Sequence, residues 1–192
     1  MKKIILASNS PQRKKLLKLL GFNFIVRPSH VPEVEKITST VANLVKQNAY
    51  RKAQDVAARM REGIVIGSDT IIYLGGKKIL GKPRTLNEAK QTLRALFIKP
   101  RWVYTGLAVI DAATGKTLVD YEKTRVFMSP LTNQEMDRYH QKVNPFDKAG
   151  GFDIEGWGSI FIHRIEGCYS NVIGLPMAKL HQMLKKFGVS AL

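Results

Sequence analysis

Five short stretches of this chain carry residue types that do chemistry on anionic substrates. Near the N-terminus, Ser8-Asn9-Ser10-Pro11 leads directly to Arg13, and apolar residues then recur at helical spacing in Leu16, Leu17, Leu19 and Leu20. A helix start leaves backbone N–H groups unpaired and carries a partial positive charge, which together bind phosphate. Arg13, in the first turn, supplies a guanidinium suited to a bidentate grip on phosphate oxygens. The glycines and the Gly-Lys-Ser/Thr ending of a Walker A loop are missing, and a well-capped helix with no ligand accounts for the same residues. The second stretch is Gly67-Ser68-Asp69-Thr70, inside the apolar run from Ile64 to Ile72. A carboxylate there is costly unless it is paired, metal-bound or exposed at a break in the strand, which makes Asp69 a candidate general base. The structural alternative is a bulge in which Asp69 hydrogen-bonds local backbone. In the third, Gly81-Lys82-Pro83, a lysine fixed between Gly and Pro loses little entropy on meeting an anion, although Gly-X-Pro is also ordinary turn chemistry. Fourth, Lys52 follows Asn48 by one helical turn, beside the apolar stripe, where it either snorkels to water or points into a site. The fifth runs from Asp147 through Gly150-Gly151-Phe152 to Glu155-Gly156-Trp157-Gly158. Its glycines allow backbone to approach a ligand and Glu155 and Trp157 can read or flank a base, or it is simply a connection.

The elements that must position these residues alternate between helix and strand. Lys3 to Ala7 reads as a short buried strand, followed by a helix with Ser10 as N-cap, Pro11 at its first position and Gly21 as its stop. Residues 22–37 lack helical periodicity. A second helix is predicted from Thr40 to about Met60, with Val41, Leu44, Val45, Ala49, Ala53, Val56 and Met60 on one stripe. Ile64 to Tyr73 is β-rich, and Gly75-Gly76 turns it into a hairpin with Lys78-Ile79-Leu80. Thr85 with Glu88, and Thr132 with Glu135, are capping-box pairs for helices reaching about Phe97 and Lys142. Trp102–Ile110 and Thr117–Met128 read as antiparallel neighbours that make a second lobe. Ser159–Ile165 reads as a strand, and Pro176 opens a last helix with Leu180, Met183, Leu184 and Phe187. With no internal repeat and no linker, residues 1–192 form a single α/β domain with a mixed sheet.

Composition narrows the function. The 192 residues include 31 Lys and Arg against 15 Asp and Glu, a net charge of +16. One cysteine, Cys168, excludes an internal disulfide framework and a multi-cysteine metal site, and the four histidines lack zincin spacing. No apolar run approaches the roughly 20 residues of a membrane span. The four-residue apolar stretch after Lys2-Lys3 falls short of the about 7–15 of a secretory signal, so the chain is expected to be cytoplasmic and free of membrane. Seven cations precede the first acid, Glu33. Such a field attracts nucleic acid, anionic membrane or small polyphosphates, or merely keeps the protein soluble. Phe22, Phe24, Phe97, Trp102 and Phe127 sit inside apolar stretches and read as core. Without a nucleic-acid fold signature, nucleic acid is not expected to be the main partner.

In order and spacing, Leu6-Ala7-Ser8-Asn9-Ser10-Pro11-Gln12-Arg13, Gly67-Ser68-Asp69-Thr70, Gly81-Lys82-Pro83, Asp147-Lys148-Ala149-Gly150 and Gly174-Leu175-Pro176 together resemble the Maf family of nucleoside triphosphate pyrophosphatases, over essentially the whole chain. The resemblance implies a mixed-sheet α/β fold like that of the inosine triphosphate pyrophosphatases, with two lobes around a central cleft, usually as a homodimer. It also implies a divalent metal, Mg²⁺ or Mn²⁺, and hydrolysis of a nucleoside triphosphate to the monophosphate and pyrophosphate. On the same ground Asp69 matches the proton acceptor, and Ser8, Ser10, Arg13, Glu33, Lys52 and Lys82 match positions lining the phosphate and metal site, with Glu33 and Asp69 toward the metal.

The family's subgroups differ at the positions of Gln12, Thr70 and Glu155. dTTP/UTP-selective members carry Arg, Thr and Gln there, and 7-methyl-GTP-selective members carry Trp, Gln and Glu. Gln12 fits neither set, Thr70 fits the first and Glu155 the second. An ionised Glu155 suits the N–H edge of guanine, which pulls toward a purine. Pro32 stands where an acid usually precedes Glu33, and Arg101 where a histidine is common. The expected activity is therefore pyrophosphohydrolysis of dTTP and UTP or of a modified nucleotide, keeping modified nucleotides out of nucleic acids, with 7-methyl-GTP as the alternative substrate. The reading from another class is a weakly catalytic nucleotide- or nucleic-acid-binding regulator of cell division, motivated by the charge and by Gln12, Pro32 and Glu155.

Overall fold

Local hydroxyl caps set four of the helix starts. In the computed structural model, which describes residues 2–191, α1 (Pro11–Leu19) is capped by Ser10, α2 (Val41–Ala57) by Thr40, α3 (Leu86–Phe97) by Thr85 and α4 (Asn133–Lys142) by Thr132. Each cap oxygen accepts the backbone N–H three residues on, one of the groups a helix start leaves unpaired. The box at α4 is reciprocal, with Glu135 accepting the Thr132 N–H. At α3 the Glu88 carboxylate turns instead to the Arg84 N–H at 2.8 Å, so only half of that box forms. Two further helices, α5 (Tyr169–Ile173) and α6 (Met177–Lys185), close the chain, the latter opened by Pro176.

The strands are β1 (Ile4–Leu6), β2 (Phe24–Val26), β3 (Ile64–Gly75), β4 (Lys78–Leu80), β5 (Arg101–Asp111), β6 (Thr117–Met128) and β7 (Ile162–Glu166). They form one mixed sheet in the order β2-β1-β3-β5-β6-β7, with β4 paired to β3. β1 lies parallel to both β2 and β3, with Ile5 opposite Ile25 and Val65. β4 folds back antiparallel through Gly75 and Gly76, both at positive φ, as the glycine pair predicts. β2 escaped the periodicity because three residues are too few to show an alternation. The strand expected from Ser159 begins only at Ile162, after a 3-10 turn over Trp157–Ile160. Gly158 explains the delay: its N–H is held by Asp153 Oδ1 at 2.8 Å, which keeps the segment curled.

Two compact units divide the chain. The first comprises the chain up to Asp69, Thr105–Glu122 and the chain from Gly174 onward, and the second Thr70–Tyr104 with Lys123–Ile173. The β5–β6 hairpin therefore does not make a lobe of its own, because strands of 11 and 12 residues, at about 3.4 Å per residue, outrun one small core. In the first unit Ile5, Ala7, Val65, Ala108 and Ile110 pack against Ala49, Ala53 and Val56 of α2. In the second, Ile72, Val103 and Val126 pack against Leu93, Leu96, Met136, Tyr139 and Phe161. Phe97 joins that core edge-on to Phe161, as expected. Trp102 and Phe127 do not: each is half-buried, one strand position out of phase with the core residues Val103 and Val126. Among the described residues no helix is long and apolar enough to cross a membrane.

Candidate active site

Two glycines let α2 approach the sheet closely. A Cβ on Gly67 of β3 would overlap the Ala49 carbonyl oxygen and stand 2.8 Å from the Ala53 Cβ, and one on Gly106 of β5 would overlap the Val45 carbonyl. Asp69 lies two residues beyond Gly67, on the same face of the strand. The tight approach therefore sets Asn48 and Lys52, one helical turn apart on α2, against that carboxylate. Lys52 Nζ donates to Asp69 Oδ1 at 2.7 Å and to Glu33 Oε1 at 2.5 Å, and Asn48 Nδ2 donates to Asp69 Oδ2 at 2.9 Å. Asp69 is only 2% exposed, so these partners are what make a charge tolerable there. They come from α2, not from local backbone, and the irregularity in the β3–β4 pairing lies further on, between Tyr73 and Gly75. The bulge alternative for Asp69 is thereby set aside. Lys52 does not snorkel away: its side chain is 12% exposed and bridges two carboxylates.

Asn48 does a second job. Its Oδ1 accepts the Val34 N–H at 2.9 Å and its Nδ2 donates to the Val34 carbonyl at 3.0 Å, a two-point clip on the segment that carries Glu33. The side chain thus links that segment to Asp69. No motif marks Asn48, but a carboxamide on an apolar helical stripe, one turn before a lysine, is a signal that sequence reading could have used. The backbone carbonyls that anchor Arg13 leave no such trace.

At the start of α1, Ser8 Oγ accepts from the Ser10 N–H and from Arg13 Nη1, both at 3.2 Å, and Ser10 Oγ donates to Gln12 Oε1 at 2.7 Å. Arg13 Nη1 also donates to the Ser68 carbonyl at 2.9 Å and Nε to the Gly174 carbonyl at 2.9 Å. The guanidinium expected to clasp phosphate is first a tie between three chain segments, which fixes its charge in place. Burial pulls it below the usual arginine range while the Asp69 and Glu33 carboxylates hold it up, and it stays protonated. No acid occupies the first turn of α1.

Thr70, Lys82 and Glu155 belong to the second unit. Lys82 is exposed on a loop whose Gly81 carbonyl accepts the Gly150 N–H at 2.9 Å. A Cβ on Gly151 would come 3.3 Å from Pro83 Cγ, so two stretches that look separate in sequence, Gly81–Pro83 and Asp147–Gly151, form one structure. Glu155 is exposed on the turn after Asp153, which accepts from Tyr139 Oη at 3.0 Å. Burial pushes the Tyr139 phenol far above its ordinary value, so it acts as a donor. Arg101 is buried and donates to the Leu74 and Ala95 carbonyls, a structural tie.

A family model described as Maf-like protein matches residues 3–187. The chain belongs to the Maf family. This Maf chain is 46% identical over 192 residues to the dTTP/UTP pyrophosphatase of Pelotomaculum thermopropionicum, covering 100% of both chains. Against the dTTP/UTP pyrophosphatase of Desulforamulus reducens it is 48% identical over 189 residues, covering 98% of each. The structure of the Staphylococcus aureus Ham1 protein superposes with a TM-score of 0.53 at 15% identity, covering 97% of this Maf chain and 100% of that one, a likeness of fold. The mixed-sheet α/β fold expected from the sequence is the fold observed.

The donor chemistry of the Maf site suits a hard divalent cation. Glu33 and Asp69 present carboxylate oxygens to one ammonium nitrogen, so they already share a cation. Among the described residues no group of three or more His, Cys, Asp or Glu gathers around a common point, and Pro32 supplies no further acid. Two carboxylates completed by phosphate and water oxygens is a pattern Mg²⁺ accepts, since it keeps several waters and binds through one or two protein acids.

Proposed function

We propose that this Maf chain is a nucleoside triphosphate pyrophosphatase acting on dTTP and UTP, or on a modified nucleotide of that class, and that it thereby keeps modified nucleotides out of nucleic acid. The observation that carries the reading is the buried Asp69 held between Lys52 and Asn48, with Glu33 on the same lysine. Each Asp69 oxygen spends one lone pair on a protein donor and keeps another. A carboxylate so oriented can take a proton from water as the water oxygen bonds to Pα. The bond from Pα to the bridging oxygen breaks, and pyrophosphate leaves with the electron pair. Lys52 and the fixed Arg13 charge offset the negative charge that moves onto the leaving group, a role in which the family resemblance alone includes Lys82. Ser8 and Ser10 shape the start of α1, whose partial positive end suits a phosphate. Glu33 and Asp69 would hold Mg²⁺ or Mn²⁺, which when bound neutralises phosphate oxygens. The names of the relatives and Thr70 support the pyrimidine substrates, whereas Glu155 and Gln12 are the positions that would broaden the choice. Assembly as a homodimer enters this reading from the family resemblance alone.

The test is a panel of dTTP, UTP, CTP, GTP, 7-methyl-GTP and inosine triphosphate with Mg²⁺ or Mn²⁺, scored for pyrophosphate and for monophosphate. Equal amounts of the two from dTTP and UTP are expected, and Asp69→Asn should stay folded and lose nearly all turnover. Orthophosphate without pyrophosphate, or an active Asp69→Asn enzyme, would refute the bond cleaved or the base.

A further inference from the structure

Strands of the second unit carry a row of aromatic rings interleaved with cations that the nucleotide chemistry does not use. On β6, Thr124 and Val126 are buried, which leaves Lys123, Arg125 and Phe127 on the opposite face. Val103 of β5 is likewise core and leaves Trp102 and Tyr104 outward, and Ile72 of β3 does the same for Tyr73, whose ring meets Tyr104 edge-on at 6.3 Å. Register places Arg164 of β7 opposite Phe127 and Glu166 opposite Arg125. The cations lie over the rings: Lys123 5.1 Å and Arg125 5.8 Å from the Trp102 centroid, and Arg125 5.1 Å and Arg164 4.0 Å from that of Phe127. The Arg125 and Arg164 side chains are 41% and 57% exposed, and Glu166 is the acid paired with both.

The chemistry of this face selects a partner. Half-buried rings on an open sheet offer flat apolar surface on which bases stack whatever their sequence, and the cations beside them track a phosphate backbone. A guanidinium carries five N–H donors, so one that lies over a ring and pairs with a single carboxylate still has donors for phosphate oxygens. A second copy of the chain would instead set three cations against three. We propose that this face, built on Trp102, Tyr104, Phe127, Lys123, Arg125 and Arg164, binds single-stranded nucleic acid, with bases on the rings and phosphates on the cations. The surface gives part of the +16 charge a use that a triphosphate site does not.

Fluorescence anisotropy with a labelled single-stranded oligothymidylate, titrated over a range of salt, tests the assignment. A triple variant, Lys123→Gln with Arg125→Gln and Arg164→Gln, should bind at least about tenfold more weakly. Its slope of log K against log salt should be shallower by about 2, at roughly 0.7 per phosphate contact on a single strand. Phe127→Leu, which keeps every charge, should weaken binding while leaving the slope unchanged. A charge-matched control in the first unit, Arg61→Gln with Lys185→Gln and Lys186→Gln, should bind within about twofold of the parent. All these variants should release pyrophosphate from dTTP at the parental rate, so a failure of the enzymatic reading would show separately from a failure here. Absence of binding at low salt, equal weakening in both triple variants, or a parental dimer dissociated by the face variant would each overturn the proposal.

Discussion

Replacing Asn48 with alanine probes a side chain that touches both the buried carboxylate and the backbone of the segment carrying Glu33. The substitution removes three hydrogen bonds, to Asp69 Oδ2 at 2.9 Å, to the Val34 carbonyl at 3.0 Å and from the Val34 N–H at 2.9 Å. A hydrogen bond to a buried charged group contributes about 2 kcal/mol, and the two partly wetted backbone bonds about 0.5 kcal/mol each, so the loss is about 3 kcal/mol. For a chain of this size, that is a drop in melting temperature of roughly 6–12 °C. Catalysis should suffer separately. With the clip gone, the backbone beside Glu33 is untied from Asp69 and Lys52 is left to bridge the two carboxylates, and a misplacement on the order of 1 Å costs on the order of a hundredfold in rate. The assay is pyrophosphate release from dTTP well below the variant's melting temperature, with kcat and KM resolved separately. A fall mainly in kcat is expected. Asn48→Asp sharpens the test, because it preserves the acceptor for the Val34 N–H yet sets a second carboxylate against Asp69, so it should be at least as impaired. A lowered melting temperature with undiminished kcat would refute the positioning argument, and parental values for both would refute the energetics as well.

Gly67→Ala should be costly although the residue is small, since the added methyl meets the Ala49 carbonyl rather than a flexible side chain. A loss of about 1–3 kcal/mol in thermal or urea unfolding is expected, with reduced turnover as Lys52 is pushed from Asp69, and an unchanged melting curve would contradict the close approach. His140 on α4 has no hydrogen-bond partner on either ring nitrogen and lies tilted beside the Tyr139 ring, with centroids 5.3 Å apart. Burial and the Lys90 charge lower its affinity for a proton, and Asp137 opposes them. The unfolded chain therefore takes up this proton first, at about pH 6.5, and stability falls as pH drops from there through the depressed folded value. His140→Phe should remove that contribution, so its stability should decline less than the parent's between pH 8 and pH 5.5, measured by urea unfolding. An equal decline in the two proteins would sink the assignment.

The features legible in the sequence act over a few residues. Ser10, Thr40, Thr85 and Thr132 cap helices because a hydroxyl reaches an N–H three positions on. Gly75-Gly76 turns because only glycine takes those dihedral angles cheaply. Asp69 also declared itself, as a charge in an apolar run whose burial had to be compensated. What compensates it was not legible. Asn48 and Lys52 reach Asp69 across 21 and 17 residues, and Arg13 reaches Gly174 across 161. Contacts of that span depend on how closely α2 can lie on β3, which a missing Cβ at Gly67 decides only once the two elements are packed. The sidedness of Trp102 and Phe127 was hidden for a related reason. An apolar β-rich stretch has two faces, and only the neighbouring strands and helices determine which face is covered and which one water sees.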